Sequence, residues 1–274
     1  MAIPLEDNVS DIIGKAQRGL GISDSQLAER ASVSTDAVRK IRDGDLSGDA
    51  IERVAPILKL NAAALRKLAA GEWEPETIGE IDGLAMFNTT YGDMTVNAYL
   101  VWDPVSRDAV AFDTGADCTG MLKRIENDDL KTKWILLTHA HPDHVADLAR
   151  LRKATGAPVY ISERESEGGA EGIPEGKHFE VGTLAIEARL TSGHSPGGIT
   201  YVVTGLARPI AIVGDSLFAG SMGGGNVSYQ DAIRNNREKI LTLPNETIVC
   251  PGHGPLTTVG KEKRDNAFFA NANV

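Results

Sequence analysis

The chain has 274 residues, a formal charge of −10 and 42% hydrophobic residues, enough for one large domain or two smaller ones around a sizeable core. The acidic balance excludes a general nucleic-acid or anionic-membrane surface. No apolar run approaches the ~18 residues of a membrane span, no signal peptide is legible, and two cysteines, Cys118 and Cys250, are too few for a disulfide scaffold, so a cytoplasmic protein is expected.

Residues 1–70 read as a compact helical unit. Val9, Ile12, Ile13, Ala16 and Leu20 have helical spacing, and Gly19 and Gly21 punctuate the end of that run. A second helix begins at Ser23, which has capping-box spacing to Gln26, and buries Leu27, Ala28 and Ala31. A third, Thr35 to Arg42, buries Val38 and Ile41 and stops at Asp43-Gly44; two more are expected over 49–59 and 61–70.

The segment from Gln26 to Gly44 resembles the helix-turn-helix of lambda-repressor and Cro-like proteins, which implies that Thr35 to Arg42 is a recognition helix. Its charge argues against DNA contact. Residues 1–75 carry 10 Lys and Arg against 12 Asp and Glu, where phosphate contact wants a basic excess. Arg39, Lys40 and Arg42 make at most a small basic spot, so docking or self-association is the preferred role for this unit, with DNA as the alternative partner.

Residues 71–77 are acidic, contain Pro75 and lack periodicity, which marks a linker to a second domain over 78–274. Short β-rich runs follow at 95–102, 108–112, 133–138, 157–161, 184–190, 199–204, 209–213 and 247–250, with helical stretches near 117–127, 143–154 and 228–241. Strands interleaved with single helices favour an α/β fold of two sheets covered by helices.

The apolar run Trp134 to Leu137 ends in a turn holding His139, His141, Asp143 and His144. Such density is suited to metal ligation, not packing, because neutral imidazole is the commonest metal ligand. Of the six histidines, only His178 lies outside tight turns rich in Gly, Pro and Asp; the others include His194 in Gly-His-Ser-Pro-Gly and His253 in Gly-His-Gly. Asp215 follows a strand-end glycine and Asp113 sits in an Asp-Thr-Gly turn. Five histidines and two aspartates suit two metals, and N/O ligands spread over several loops suggest open positions for water, hence catalysis.

These motifs occur in the order seen in the metallo-β-lactamase superfamily, and within it the chain resembles the glyoxalase II-like hydrolases over residues 78–270. The resemblance implies an αββα sandwich preceded by the small all-α helix-turn-helix domain. It implies that His139, His141 and His194 hold one metal, that Asp143, His144 and His253 hold the other, and that Asp215 bridges them. Asp143 and Asp215 are thereby the expected catalytic carboxylates, and Asp113 orients a ligand imidazole from behind. Two zinc ions are expected, with iron or manganese as alternatives. Two metals about 3.5–4 Å apart lower the pKa of a shared water toward neutrality, so the expected reaction is attack of that hydroxide on a thioester or small ester, as in hydroxyacylglutathione hydrolase.

The alternatives are a mononuclear-iron persulfide dioxygenase, a lactonase, or a DNA-binding regulator whose metal domain senses a ligand. A lactonase is disfavoured because Phe218 stands where a tyrosine is typical shortly after the bridging aspartate, and a periplasmic β-lactamase by the missing signal peptide. Tyr229, Lys261 and Arg264 are expected to contact a small-molecule substrate, the two cations as contacts for a carboxylate or thioester.

Overall fold

The computed structural model describes residues 3–46 and 48–270, so the expected second domain's last residues, 271–274, lie outside the described residues. Five helices come first: α1 (Val9–Leu20), α2 (Asp24–Ala31), α3 (Thr35–Arg42), α4 (Ala50–Ile57) and α5 (Ala62–Ala69). Their starts follow local chemistry. Asn8 and Ser23 each close a capping box, with Asp11 and Gln26 respectively, and Ser34 and Asn61 accept from the third helical N–H of α3 and α5.

Two six-stranded sheets follow. The first runs β1 (Leu84–Tyr91), β2 (Met94–Trp102), β3 (Asp108–Phe112), β4 (Lys131–Leu136), β5 (Val159–Ser162), β6 (Glu171–Ile173) in spatial order. The second contains β7 (His178–Val181), β8 (Leu184–Leu190), β9 (Ile199–Thr204), β10 (Ile210–Gly214), β11 (Ile248–Pro251) and β12 (Thr257–Thr258), again paired in chain order. Helices α6 (Thr119–Asn127), α7 (Pro142–Val145) and α8 (Leu148–Thr155) belong to the first half; α9 (Tyr229–Asn235), a π-helical turn (Asn236–Ile240) and α10 (Val259–Asp265) belong to the second.

Strand alternation divides the core into layers. Tyr99, Val101, Val110 and Phe112 face Ile210, Ile212, Ile248 and Cys250 between the sheets. Their neighbours Leu100, Ala111 and Ile135 point outward to Met121, Leu148 and Leu151. On the other outer face Ala211, Val213 and Val249 pack under Ile240, Leu241 and Val259, and the same continuous cluster takes in Ile12, Leu27, Ile51 and Leu65 of the N-terminal helices. The five-helix unit thus thickens the helical layer over the second sheet. Trp73 of the expected linker is buried there, its indole N–H donating to the Asp265 carbonyl.

The structure corrects several expected elements. The helix expected over 143–154 is broken into α7 and α8, because Asp147 between them is tied to the turn after β3: its N–H donates to Thr114 Oγ1 and its carboxylate accepts from the Cys118 N–H. The run 228–241 changes from α to π at Asn236. Strands β1, β6, β7 and β12 lie outside the expected β-rich runs; three of them have four residues or fewer, too short for periodicity to register. Among the described residues no helix is long and apolar enough to cross a membrane.

Candidate metal centre

The chemistry-bearing turns gather at one edge of the sandwich because of strand direction. β3 and β4 run parallel, as do β10 and β11, so the turns after Phe112, Leu136, Gly214 and Pro251 emerge on the same side. Function-bearing loops over a rigid sheet are the usual consequence. The β8–β9 turn adds His194. Glycine is required where these turns crowd: a Cβ on Gly252 would lie 2.1 Å from Asp215 Oδ1 and 2.6 Å from His144 Cε1. At Gly193, with φ +140°, it would meet the Ala232 backbone at 2.4 Å.

The seven side chains fall into two groups. In the first, His139, His141, His194 and Asp215 offer ligand atoms within 4.8 Å of one another; in the second, Asp143, His144 and His253 do the same. His141 Nδ1 lies 2.9 Å from His139 Nε2 and 3.0 Å from His194 Nε2. Asp215 faces both groups: Oδ2 is 3.2 Å from His194 Nε2 and 3.5 Å from His253 Nε2, while Oδ1 is 3.3 Å from His144 Nε2.

Outer hydrogen bonds fix how the imidazoles present themselves. His144 Nδ1 sits 2.8 Å from Asp113 Oδ2, His253 Nδ1 2.6 Å from the Thr95 carbonyl and His194 Nδ1 3.1 Å from the Gly224 carbonyl. Each outer nitrogen faces an acceptor and so carries the proton, which leaves the three Nε2 lone pairs aimed inward at carboxylate oxygens. Lone pairs facing carboxylates repel unless a cation lies between them. Accordingly, buried His144 Nε2 and Asp215 Oδ1 have no hydrogen-bond partner among the described residues, the condition a metal ion relieves. The donor set therefore fits two metal ions, held by imidazole and carboxylate without thiolate.

The carboxylates' demand for positive charge between the two groups also shows in the titrations. Burial alone would lower the His144 pKa, but Asp215 and Asp113 overrule it and hold the imidazole up at about 10; His253, likewise opposed by burial, is raised to about 11 by Asp215 and Asp143. His139 and His194 move the other way, chiefly through burial. Asp215 stays well below the usual carboxylate range against its burial, held there by His144 and His253.

Asp113 adopts φ +55°, a conformation that Asp tolerates better than most residues. It accepts from the Thr138 N–H and hydroxyl, both at 2.7 Å, as well as from His144. Thr138 is not among the residues expected at the site, and its one sequence signal is its place immediately before His139. The carbonyls of Thr95 and Gly224 carry no side-chain signal at all.

The expected substrate contacts are not brought to this site. Tyr229 is buried, and its ring would touch a Cβ on Gly19 of α1 at 2.2 Å, so it serves the packing of α9 against the N-terminal helices. Lys261 pairs with Asp265 at 3.0 Å and lies over the Trp73 ring, and Arg264 pairs with Glu76 at 2.6 Å. These cations bind α10 to the segment after α5. His178 is exposed on β7 and belongs to neither donor group.

A family model described as the metallo-beta-lactamase superfamily matches residues 91–253, which contain all seven donors. The chain belongs to the metallo-beta-lactamase superfamily. Among its relatives, the hydroxyacylglutathione hydrolase GloC of Haemophilus influenzae is 30% identical over 198 residues, covering 63% of this chain and 92% of that one. The crystal structure of ETHE1 from Myxococcus xanthus superposes with a TM-score of 0.58 at 26% identity, covering 66% of this chain and 83% of that one. That of TTHA1623 in a di-iron-bound form gives 0.55 at 30% identity, covering 67% and 100%. The superfamily match begins at Tyr91, so the five N-terminal helices lie outside it.

Proposed function

We propose that the protein is a dinuclear metallo-hydrolase that cleaves a thioester or small ester of the hydroxyacylglutathione kind. The observation that carries this reading is Asp215, whose carboxylate lies between the two donor groups, with Oδ2 facing His194 of one and His253 of the other and Oδ1 facing His144. The likeness to GloC supports the substrate class, and the di-iron relative supports a two-metal centre. When bound, divalent cations at such a centre polarise the substrate carbonyl and acidify water.

The chain's own residues supply position and proton traffic. Asp113, Thr95 and Gly224 hold three imidazoles in one tautomer. Asp143 and Asp215 face the shared space, and one of them takes the proton released when water adds to the carbonyl and returns it to the departing sulfur or oxygen as the acyl bond breaks. Neither serine beside the donors competes as nucleophile: Ser216 Oγ donates to Thr191 Oγ1, and Ser195 is buried. DNA recognition through α3 is the weaker reading. Arg39 and Lys40 lie 3.5 and 3.8 Å from Asp36, and Arg42 lies 3.3 Å from Asp24, so acidic neighbours offset the basic spot.

The test combines elemental analysis of protein purified without added metal with hydrolysis of a lactoyl-glutathione thioester. About two metal ions per chain with turnover are expected, zinc foremost. Asp215→Ala should abolish turnover and lower metal content. One iron per chain, no hydrolysis and oxygen uptake with a persulfide would overturn the reading in favour of a mononuclear dioxygenase.

A further inference from the structure

The segment that leads into α1 lies against the metal centre. Residues 4–6 pass over Gly254, the neighbour of His253: a Cβ built on Gly254 would come within 3.2 Å of Glu6 N, 3.6 Å of Glu6 Cβ and 3.7 Å of the Pro4 carbonyl. Gly254 has φ +75°, so both its conformation and this close approach exclude a side chain.

The residues after Glu6 are locked to the loop that carries Phe218 and Ser221. Buried Asp7 accepts from Lys15 and from the Ser221 hydroxyl. Lys15 also donates to the Met222 carbonyl at 2.9 Å and lies 5.1 Å above the Phe218 ring, whose edge meets the His253 ring at 5.8 Å between centroids. Asn8 then caps α1 through its capping box. Asp7 and Lys15 satisfy each other, so the segment is anchored without using Glu6.

Glu6 itself is half-buried, and among the described residues its carboxylate has no hydrogen bond or ion pair. The charged groups that act on it are His253, Asp7, Asp215 and Lys15. It also borders a groove of 790 Å³ on the helical unit, walled by Leu5, Arg42 and Leu68 among others. A half-buried carboxylate on a rigid segment, unpaired and adjacent both to a metal centre and to open space, attracts a cation and repels an anion.

We propose that Glu6 is a specificity-determining residue of the hydrolytic site, and that it receives a cationic, ammonium-type group on the part of the substrate that does not react. The helical unit is then a wall of the active site as well as a cover for the second sheet. The assignment rests on the hydrolase reading under Proposed function, and its test is arranged so that the two can fail separately.

The probe pair is acetylthiocholine and its neutral isostere S-(3,3-dimethylbutyl) thioacetate, which share the scissile bond and the shape but differ in one positive charge. With the metal-loaded full chain, KM for the cationic ester is expected to be about tenfold lower than for the neutral one. Glu6→Gln should bring the ratio to about one, with the loss in KM of the cationic ester and not in kcat, and Glu6→Lys should invert it. Unequal effects of this kind are not produced by a general loosening of the fold, and melting temperature and metal content of both variants provide the check. Equal changes for both esters, or no change in the ratio, would overturn the role of Glu6. Should wild type cleave neither ester, calorimetric binding of the products thiocholine and 3,3-dimethylbutanethiol reads the same preference without hydrolysis. A charge preference lost in Glu6→Gln then upholds Glu6, while no preference overturns it; the thioesterase reading stands or falls separately, on lactoyl-glutathione hydrolysis.

Discussion

Replacing Asp113 by Asn isolates the control of one imidazole tautomer. Asp113 Oδ1 accepts the Thr138 N–H, while Oδ2 accepts the Thr138 hydroxyl and the His144 Nδ1 proton, all at 2.7–2.8 Å and all buried. Asn fits the same space and tolerates the same positive φ. If its oxygen stays on the Thr138 N–H, its NH2 faces His144, and the Thr138 hydroxyl can turn to accept. His144 Nδ1 must then become an acceptor, which moves the ring proton to Nε2, the atom that faces Asp215 and Asp143 at 3.3 and 3.5 Å. The lone pair offered to a metal is lost. The opposite flip leaves the buried Thr138 N–H unpaired, at about 1–3 kcal/mol. Loss of such an outer partner typically weakens metal binding about 10–100-fold, equivalent to about 1.4–2.7 kcal/mol. Competition against a chromophoric chelator should show this loss at one site, with the site built on His139, His141 and His194 changed much less. Two sites that bind as in wild type, or that weaken equally, would refute the tautomer argument.

Three further outcomes are expected. Gly252→Ala should retain the wild-type circular dichroism but lose metal by elemental analysis, since its Cβ would occupy space 2.1 Å from Asp215 Oδ1. Gly19→Ala, with a Cβ 2.2 Å from the Tyr229 ring, should lower urea stability by about 1–3 kcal/mol through overpacking where the N-terminal helices meet α9. Glu262 is buried at α10, where desolvation raises its pKa to about 7 against hydrogen bonds from Thr257, Asn266 and the Gly220 N–H. The folded state therefore holds a proton that the unfolded chain releases near the ordinary glutamate value of 4.5. Stability should fall as pH rises from about 4.5 to 7 and level off above it, by about 3 kcal/mol from this group. Glu262→Gln keeps the shape and removes the titration, so denaturation midpoints measured from pH 4.5 to 8 should show a flatter profile than wild type.

Much of this protein is written locally. The five N-terminal helices are legible because caps and helical periodicity act over three or four residues: Ser23 with Gln26, and Thr35 to Arg42, stand where the spacing puts them. The seven metal-centre candidates are legible because imidazole and carboxylate in Gly- and Pro-rich turns have few other uses, and the structure gathers all seven. The strands β6, β7 and β12 are invisible at that level, since two to four residues show no period and pairing alone makes them strands.

Tertiary structure decided where side chains with several possible uses would go. Tyr229, Lys261 and Arg264 have the chemistry of substrate contacts, yet long-range packing assigns them to the joint among α1, α9, α10 and the segment after α5. Conversely Glu6, more than 200 residues from His253 in the sequence, has no motif around it and reaches the metal centre only because Gly254 lets the chain pass close by. Composition and periodicity report on a residue and its near neighbours. The distant surface that residue meets is set by how the layers pack, and no local pattern encodes it.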